Sequence, residues 1–315
     1  AEEEQAARWY GSEYAVDFDA VGPMRARALE AAFSRLSPEA LAAVRRFAEA
    51  ESYWLPDYAR YMAELDADGG EPPDDRVLYH EFVQWVLDSQ WQRLKKYANG
   101  LGVRIMGDMP IYVSANSSDF RAHPEFFMLD PDGRPSFIAG VPPDFFSEDG
   151  QLWRNPLYNW DAMERDGYGW WLRRISKALR DYDGVRIDHF RGFSAFWAVP
   201  AGAETARGGK WVKGPGMKLF GLVKEKYPDA DILAEDLGDL DQDVYDLIAA
   251  TGYPGMRILQ FAFGEGAEDN LPHNYPRNCA TYTGTHDNNT LLGWFYETEG
   301  AERDLACRYV GIPYD

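Results

Sequence analysis

The chain has 315 residues, 52 of them acidic against 32 basic, for a formal charge of −20. That charge repels phosphate backbones and excludes nucleic acid as a working partner, and no apolar run reaches the roughly 18 residues of a membrane span. A hydrophobic content of 45% supports one large domain or two small ones; the 15% of aromatic residues reads mostly as core, with a minority free to line a site for the apolar faces of sugar rings.

Residues 1–70 read mainly as helix. Ser37-Pro38-Glu39 supplies an N-cap, a proline in the first turn and an acid, followed by apolar residues at helical spacing to Ala50. Gly69-Gly70 and Pro72-Pro73 make residues 66–75 a loop. Helical periodicity returns over 82–99 and closes at Gly100-Leu101-Gly102; residues 103–108 form a short apolar strand ending in Asp108. Residues 112–160 lack periodicity and are rich in Pro, Gly, Asp and aromatics, the signature of a long functional loop rather than a disordered one. Helices over 170–180, 218–226, 241–250 and from Thr290 onward alternate with strands over 184–188, 231–235, 257–262 and 280–285. Helix-then-strand units at this spacing predict a parallel sheet, either doubly wound or closed as a barrel. Both architectures put their sites at the C-terminal strand ends. No glycine-rich phosphate loop follows any strand. Cys279 and Cys307 form no spaced cluster and read as reduced structural thiols.

Polar residues gather where such a site belongs. Gly184-Val185-Arg186-Ile187-Asp188-His189, Ile232-Leu233-Ala234-Glu235-Asp236 and Tyr282-Thr283-Gly284-Thr285-His286-Asp287 each carry an acid past an apolar strand. Two carboxylates flanking one bond are the working unit of most glycosidases. Arg186 is expected to keep Asp188 ionised, because a nearby cation favours the charged form. Burial behind Ile232, Leu233 and Ala234, with Asp236 alongside, is expected to raise the Glu235 pKa, as an acid/base requires. Each motif alone has a plainer reading: a strand-end Asp caps the next helix, Arg186 and Asp188 form an ordinary ion pair on one strand face, and His286 is a hydrogen-bonded core residue. Their joint occurrence in order points to a site. No histidine pair has metal-ligand spacing such as HExxH, and no G-x-S-x-G elbow is present.

At these residues the chain resembles the 4-α-glucanotransferases, the amylomaltases or disproportionating enzymes of glycoside hydrolase family 77. Arg186-Ile187-Asp188-His189-Phe190-Arg191-Gly192, Ala234-Glu235-Asp236-Leu237-Gly238 and Thr283-Gly284-Thr285-His286-Asp287-Asn288 are similar to successive signatures of that family. So are Gly107-Asp108-Met109-Pro110-Ile111-Tyr112-Val113, Gly140-Val141-Pro142-Pro143-Asp144, Asn155-Pro156-Leu157-Tyr158-Asn159-Trp160, Trp211-Val212-Lys213-Gly214-Pro215-Gly216 and Leu271-Pro272-His273-Asn274-Tyr275. The likeness runs from about residue 80 to 295. It implies an α/β fold, the (β/α)8 TIM barrel of the α-amylase superfamily with helical insertions. The visible strands are expected to be the third to seventh, so the chain is expected to be a fragment with an incomplete barrel. The implied division is a mostly helical subdomain over 1–78 and a partial catalytic barrel over 79–315.

The resemblance implies Asp188 as nucleophile, Glu235 as acid/base and Asp287 as the third acid. It implies Asp108, Tyr112, Arg186, His189 and His286 around the donor sugar, with Phe145, Phe146 and Trp153 in a loop over the cleft. The implied activity is transfer of an α-1,4-glucan segment to the 4-hydroxyl of another glucan by a retaining double displacement, with no cofactor and no metal, in the cytoplasm. The alternatives are an amylase-like hydrolase and a glucan-binding fragment without activity. The chain departs from the family pattern at Phe145 (commonly Tyr), Arg154 (commonly Gly), Asn289 (commonly Asp) and Asn116 (frequently an acid).

Overall fold

The computed structural model of the chain describes residues 14–143, 147–238, 240–264, 266–267 and 270–312. These fall into two compact units, one within Ala1–Val103 and Ala115–Pro124, the other within Arg104–Ser114 and Glu125–Asp315.

The first unit is helical. Helices α1 (Phe18–Phe33), α2 (Pro38–Ala50), α3 (Leu55–Asp66) and α4 (Asp74–Gly100) are followed by the short α5 (Ser118–Ala122). The predicted cap at the start of α2 is present: the Ser37 hydroxyl accepts from the Ala40 N–H at 3.2 Å and Pro38 occupies the first turn. The long helix starts at Asp74, earlier than the sequence pattern indicates. Pro73 precedes it and Asp74 and Asp75 fill its first turn, where negative charge is favoured. Val44, Tyr79 and Phe82 form its buried core.

The second unit carries the parallel strands β1 (Met106–Met109), β4 (Gly184–Ile187), β7 (Ile232–Ala234), β8 (Gly255–Ile258) and β9 (Cys279–Tyr282). The sheet order is β1-β4-β7, with β8 pairing β9; the Ala234 N–H donates to the Pro254 carbonyl at 2.9 Å, linking β7 to the start of β8. Neighbours thus follow chain order without reversal. A doubly wound sheet reverses its order at a switch point, whereas a barrel does not, so the ordering selects the barrel. After the short α6 (Trp160–Arg165), helices α7 (Gly169–Asp181), α8 (Met217–Lys226) and α9 (Gln242–Thr251) precede β4, β7 and β8. Close approach is built in at Gly107, where a Cβ would lie 2.2 Å from the Tyr182 ring.

Two expectations change. Residues 112–160 are not a plain loop: β2 (Phe137–Val141) and β3 (Gln151–Pro156) join β5 (Ala195–Pro200) and β6 (Lys210–Lys213) in an antiparallel sheet of order β3-β2-β5-β6. These strands are short and broken by Gly140, Pro156 and Pro200, and β2 pairs with a strand some 60 residues away, so local periodicity carries no trace of them. The strand expected over 257–262 ends at Ile258, and Leu259–Phe261 forms a 3₁₀ turn.

The turn after β4 is anchored from below. Phe190 and Phe193, both fully buried, meet Phe220 at ring distances of 4.8 and 5.0 Å, and Phe193 meets Trp171 edge-on at 5.1 Å. Burying one such ring contributes about 2–3 kcal/mol, which fixes the segment between Asp188 and Ser194 on the core.

Candidate active site

Register builds the base of the site. Asp108 on β1 and Arg186 on β4 are direct partners in the parallel ladder, so their side chains stand side by side on one face. Arg186 Nη1 donates to both Asp108 carboxylate oxygens at 2.7 Å. Its Nη2 pairs with Asp188 Oδ1 at 2.8 Å, and its Nε points at Met256 Sδ at 3.4 Å. Arg186 is only 11% exposed at the side chain, against 41% for Asp188 and 46% for Asp108. The guanidinium is thus the floor, and the two carboxylates rise from it toward solvent. Asp188 does not cap a helix.

Asp188 departs from the electrostatic expectation. Burial pushes its carboxyl above the usual range, and the charges of Asp108 and Asp287 add to that rise; Arg186 pulls the other way without cancelling it. One guanidinium touches both carboxylates, and at Asp188 the charge of Asp108 acts against it.

Glu235, one residue past β7, is 8% exposed. Its Oε2 accepts the His189 N–H at 2.7 Å and its Oε1 accepts the Leu237 N–H at 2.8 Å. Burial pushes its carboxyl up to about 7; the Asp188 charge adds to this, while the two backbone donors and Arg186 oppose it. The like charge in play is Asp188, not the sequence neighbour Asp236. Asp236 points the other way, accepting from the Met256 N–H at 2.5 Å and pairing with Arg257 at 3.1 Å. That contact requires Gly255, where a Cβ would fall 2.4 Å from the Asp236 carboxylate.

His189 turns the corner between the two acids. Its φ is +51°, a left-handed conformation uncommon outside glycine, and in it the backbone N–H faces Glu235. Its ring lies edge-on to Trp153 at 4.7 Å and 6.5 Å from Tyr112. Burial, helped by the charge of Arg191, drops the imidazole to about 3, so the ring is neutral. Tyr112 is buried and stacks on Tyr158 at 6.0 Å, whose hydroxyl donates to the Ile111 carbonyl at 2.8 Å.

Trp153 reaches this group through a bulge. Ile138 pairs with Pro156 and Gly140 with Leu152, so two steps on β2 face four on β3. Such an insertion redirects side chains next to active sites. Arg154 sits within it at φ +63°. This position, where the resemblance led us to expect glycine, therefore holds a glycine-like conformation while carrying an arginine.

The structure thus brings Asp108, Tyr112, Trp153, Arg186, Asp188, His189 and Glu235 together. Asp287 and His286 lie at the rim after β9, both exposed, 3.4 Å apart; Asp287 reaches Asp188 through its charge, not by contact. Phe145 and Phe146 lie outside the described residues. Sequence reasoning missed the two backbone donors on Glu235. The signal for one of them was a histidine between the strand-end acid and an aromatic anchor, and nothing in its residue type announces a left-handed turn. Among the described residues no cluster of metal-binding side chains occurs and no helix is long and apolar enough to cross a membrane.

Known proteins are similar to this chain. The family model described as 4-alpha-glucanotransferase, glycoside hydrolase family 77, matches residues 66–313. A 4-alpha-glucanotransferase of Thermus thermophilus is 45% identical over 324 residues, covering 94% of this chain and 65% of its own length. One from Streptococcus pneumoniae serotype 4 is 46% identical over 289 residues, covering 84% of this chain and 57% of its own length. The chain therefore spans less than two thirds of these relatives. An amylomaltase from Streptococcus agalactiae, solved in complex with acarbose, superposes with a TM-score of 0.92 at 37% identity, over all of this chain and 69% of that one.

Proposed function

The chain belongs to glycoside hydrolase family 77, the 4-alpha-glucanotransferases, and on that premise we propose that the whole protein cleaves α-1,4-glucans and passes the donor segment to the 4-hydroxyl of a second glucan. The observation that carries the reading is the contrast between two neighbouring acids. Glu235 is buried, hydrogen-bonded by two backbone N–H groups among the described residues, and shifted to about 7. Asp188 is half exposed and in contact with a guanidinium. Asp188 therefore ionises first, leaving the proton on Glu235, the division of labour a retaining glycosidase requires.

In this mechanism Glu235 protonates the leaving glycosidic oxygen as the Asp188 carboxylate attacks the anomeric carbon. The C–O bond to the leaving chain breaks and a covalent glycosyl ester on Asp188 forms. Glu235, now a carboxylate, takes the proton of an acceptor 4-hydroxyl, whose oxygen displaces Asp188 with net retention. Asp287 holds sugar hydroxyls from the rim, joined by His286. Asp108 and neutral His189 bind the donor sugar, Arg186 holds Asp188, and Trp153 with Tyr112 presents an aromatic wall. Phe145 and Phe146, together with Trp153, exclude water so that sugar rather than water accepts. We assign the barrel strands to the unit of Arg104–Ser114 and Glu125–Asp315, with the helical unit as a subdomain, and place the protein in the cytoplasm, where free thiols such as Cys279 and Cys307 persist.

Incubation of the intact protein with maltotriose is the test. Transfer yields glucose together with oligomers longer than maltotriose. Maltose and glucose without elongation would replace the transferase by a hydrolase, and maltodextrin binding with no turnover would leave a binding protein.

A further inference from the structure

Asp188 and Glu235 stand on turns after different strands, so their spacing depends on what ties the two turns together. The His189 N–H to Glu235 bond is one tie. A second lies behind it. Arg191, two residues past His189, is 7% exposed. Its Nη2 donates to Asp241 Oδ2 at 3.0 Å, and its guanidinium lies 3.9 Å from the centroid of the Trp211 ring on β6. Asp241 follows Glu235 by six residues and begins α9, its Oδ1 accepting from the Val244 N–H at 3.1 Å. Trp211 meets Trp197 edge-on at 5.1 Å, and Trp197 is itself fixed by a 2.8 Å bond to the Ala206 carbonyl. One guanidinium therefore joins the nucleophile turn, the segment leaving the acid/base, and the antiparallel sheet.

Stability alone does not call for this arrangement. A buried cation is tolerated only when paired, and well-packed apolar residues commonly replace such pairs at no loss. The cap on α9 needs no arginine, since serine or asparagine serves equally at an N-cap. What the charge pair adds is direction: a planar fork fixes both partners in orientation, which an apolar contact does not.

We infer that Arg191, held by Asp241 and Trp211, is a positioning residue that locks the turn bearing Asp188 to the segment bearing Glu235. It touches no reacting atom; it acts by keeping the His189 N–H on the Glu235 carboxylate. The inference rests on the reading of these two acids as the catalytic pair.

The experiment uses the full chain with Arg191→Met, which keeps the stem and removes the charge, and Asp241→Ser, which keeps the cap and removes the pair. Amide hydrogen exchange at His189 and Leu237 is followed in each variant and in the double variant, and needs no turnover. Each single change is expected to speed exchange at these amides by about tenfold, with the double variant no faster than either single, as for one shared interaction. In maltotriose transfer, kcat is expected to fall by roughly 10–100-fold with the donor KM within about twofold, because misplacement costs the chemical step rather than binding. Unaltered protection in the folded variants overturns the inference. Should Arg191→Met fail to fold, Asp241→Ser decides, since its carboxylate is half exposed and its cap survives. An unmodified protein that performs no transfer would instead overturn the catalytic reading, leaving the exchange result to judge the lock.

Discussion

Replacing Glu235 by glutamine removes one titrating group whose environment makes a large and signed contribution. The carboxyl rises from 4.5 to about 7 in the folded protein, a displacement worth about 3 kcal/mol between its protonated and ionised forms. The native state holds the proton more tightly than the unfolded chain. Unfolding between the two values therefore releases a proton, and stability falls as pH rises. The contribution is fully present below the unfolded value, is lost progressively up to about 7, and is absent above it. Glutamine has no such slope. It also has one acceptor for the two N–H donors of His189 and Leu237, a fixed penalty of about 1 kcal/mol that offsets its curve without bending it.

Urea unfolding of both proteins at about pH 5 and about pH 8.5 brings out the effect, because titrations not coupled to Glu235 cancel in the difference. The glutamine variant is expected to gain roughly 2–3 kcal/mol relative to the unmodified protein across that interval. Differences that stay within about 0.5 kcal/mol would show that Glu235 is not held protonated, and the assignment of the acid would go with it. In turnover the same ionisation makes kcat/KM of the unmodified protein decline above about pH 7.

Asp188→Asn retains an acceptor for Arg186 and is expected to keep the fold and maltodextrin binding by circular dichroism and calorimetry, while losing at least about 10³-fold in turnover; a smaller loss would remove Asp188 as nucleophile. Arg154→Gly relieves a left-handed residue within a bulge and is expected to raise stability by roughly 0.5–1 kcal/mol in urea, with a lowered midpoint counting against strain at that position. Gly255→Ala drives a Cβ into the Asp236 carboxylate, breaking its bonds to Met256 and Arg257; a loss of about 3 kcal/mol or more is expected, and a neutral result would mean that Asp236 has room to move.

Five parallel strands were legible as short apolar runs, most of them preceded by helical spacing, as in Gly184-Val185-Arg186-Ile187 after the helix over 169–181, although the fourth was expected to run past Ile258. The acids were legible for the same reason: a strand end fixes where a side chain emerges. The antiparallel sheet was not, since pairing Ile138 with Val199 is a long-range event with no local period. Electrostatics was half legible. Burial of Glu235 follows from Ile232, Leu233 and Ala234, but the partner that adds to its shift comes from another strand. Arg186 lowers Asp188 as expected, but the net rise was not legible, because the sequence shows neither the burial of that carboxyl nor the charge of Asp108 beside it.

The barrel ordering and the catalytic electrostatics are connected through the backbone. Parallel neighbours in unbroken chain order present the same strand face at the same height, so Asp108 and Arg186 meet by register and Asp188 and Glu235 emerge beside them. Proximity alone would make two equivalent carboxylates that compete for one proton. The left-handed turn at His189 breaks that equivalence. It sends one N–H to Glu235, carries Asp188 out over the guanidinium, and sets the imidazole against Trp153. The acid proposed to hold a proton is thus given dipoles that orient it and, among the described residues, no cation in contact. The acid proposed to attack is given a cation. This asymmetry lies in backbone direction, and on the proposed mechanism the residues packed behind the turn, Phe190, Phe193 and Arg191, would shape the chemistry without reaching the substrate.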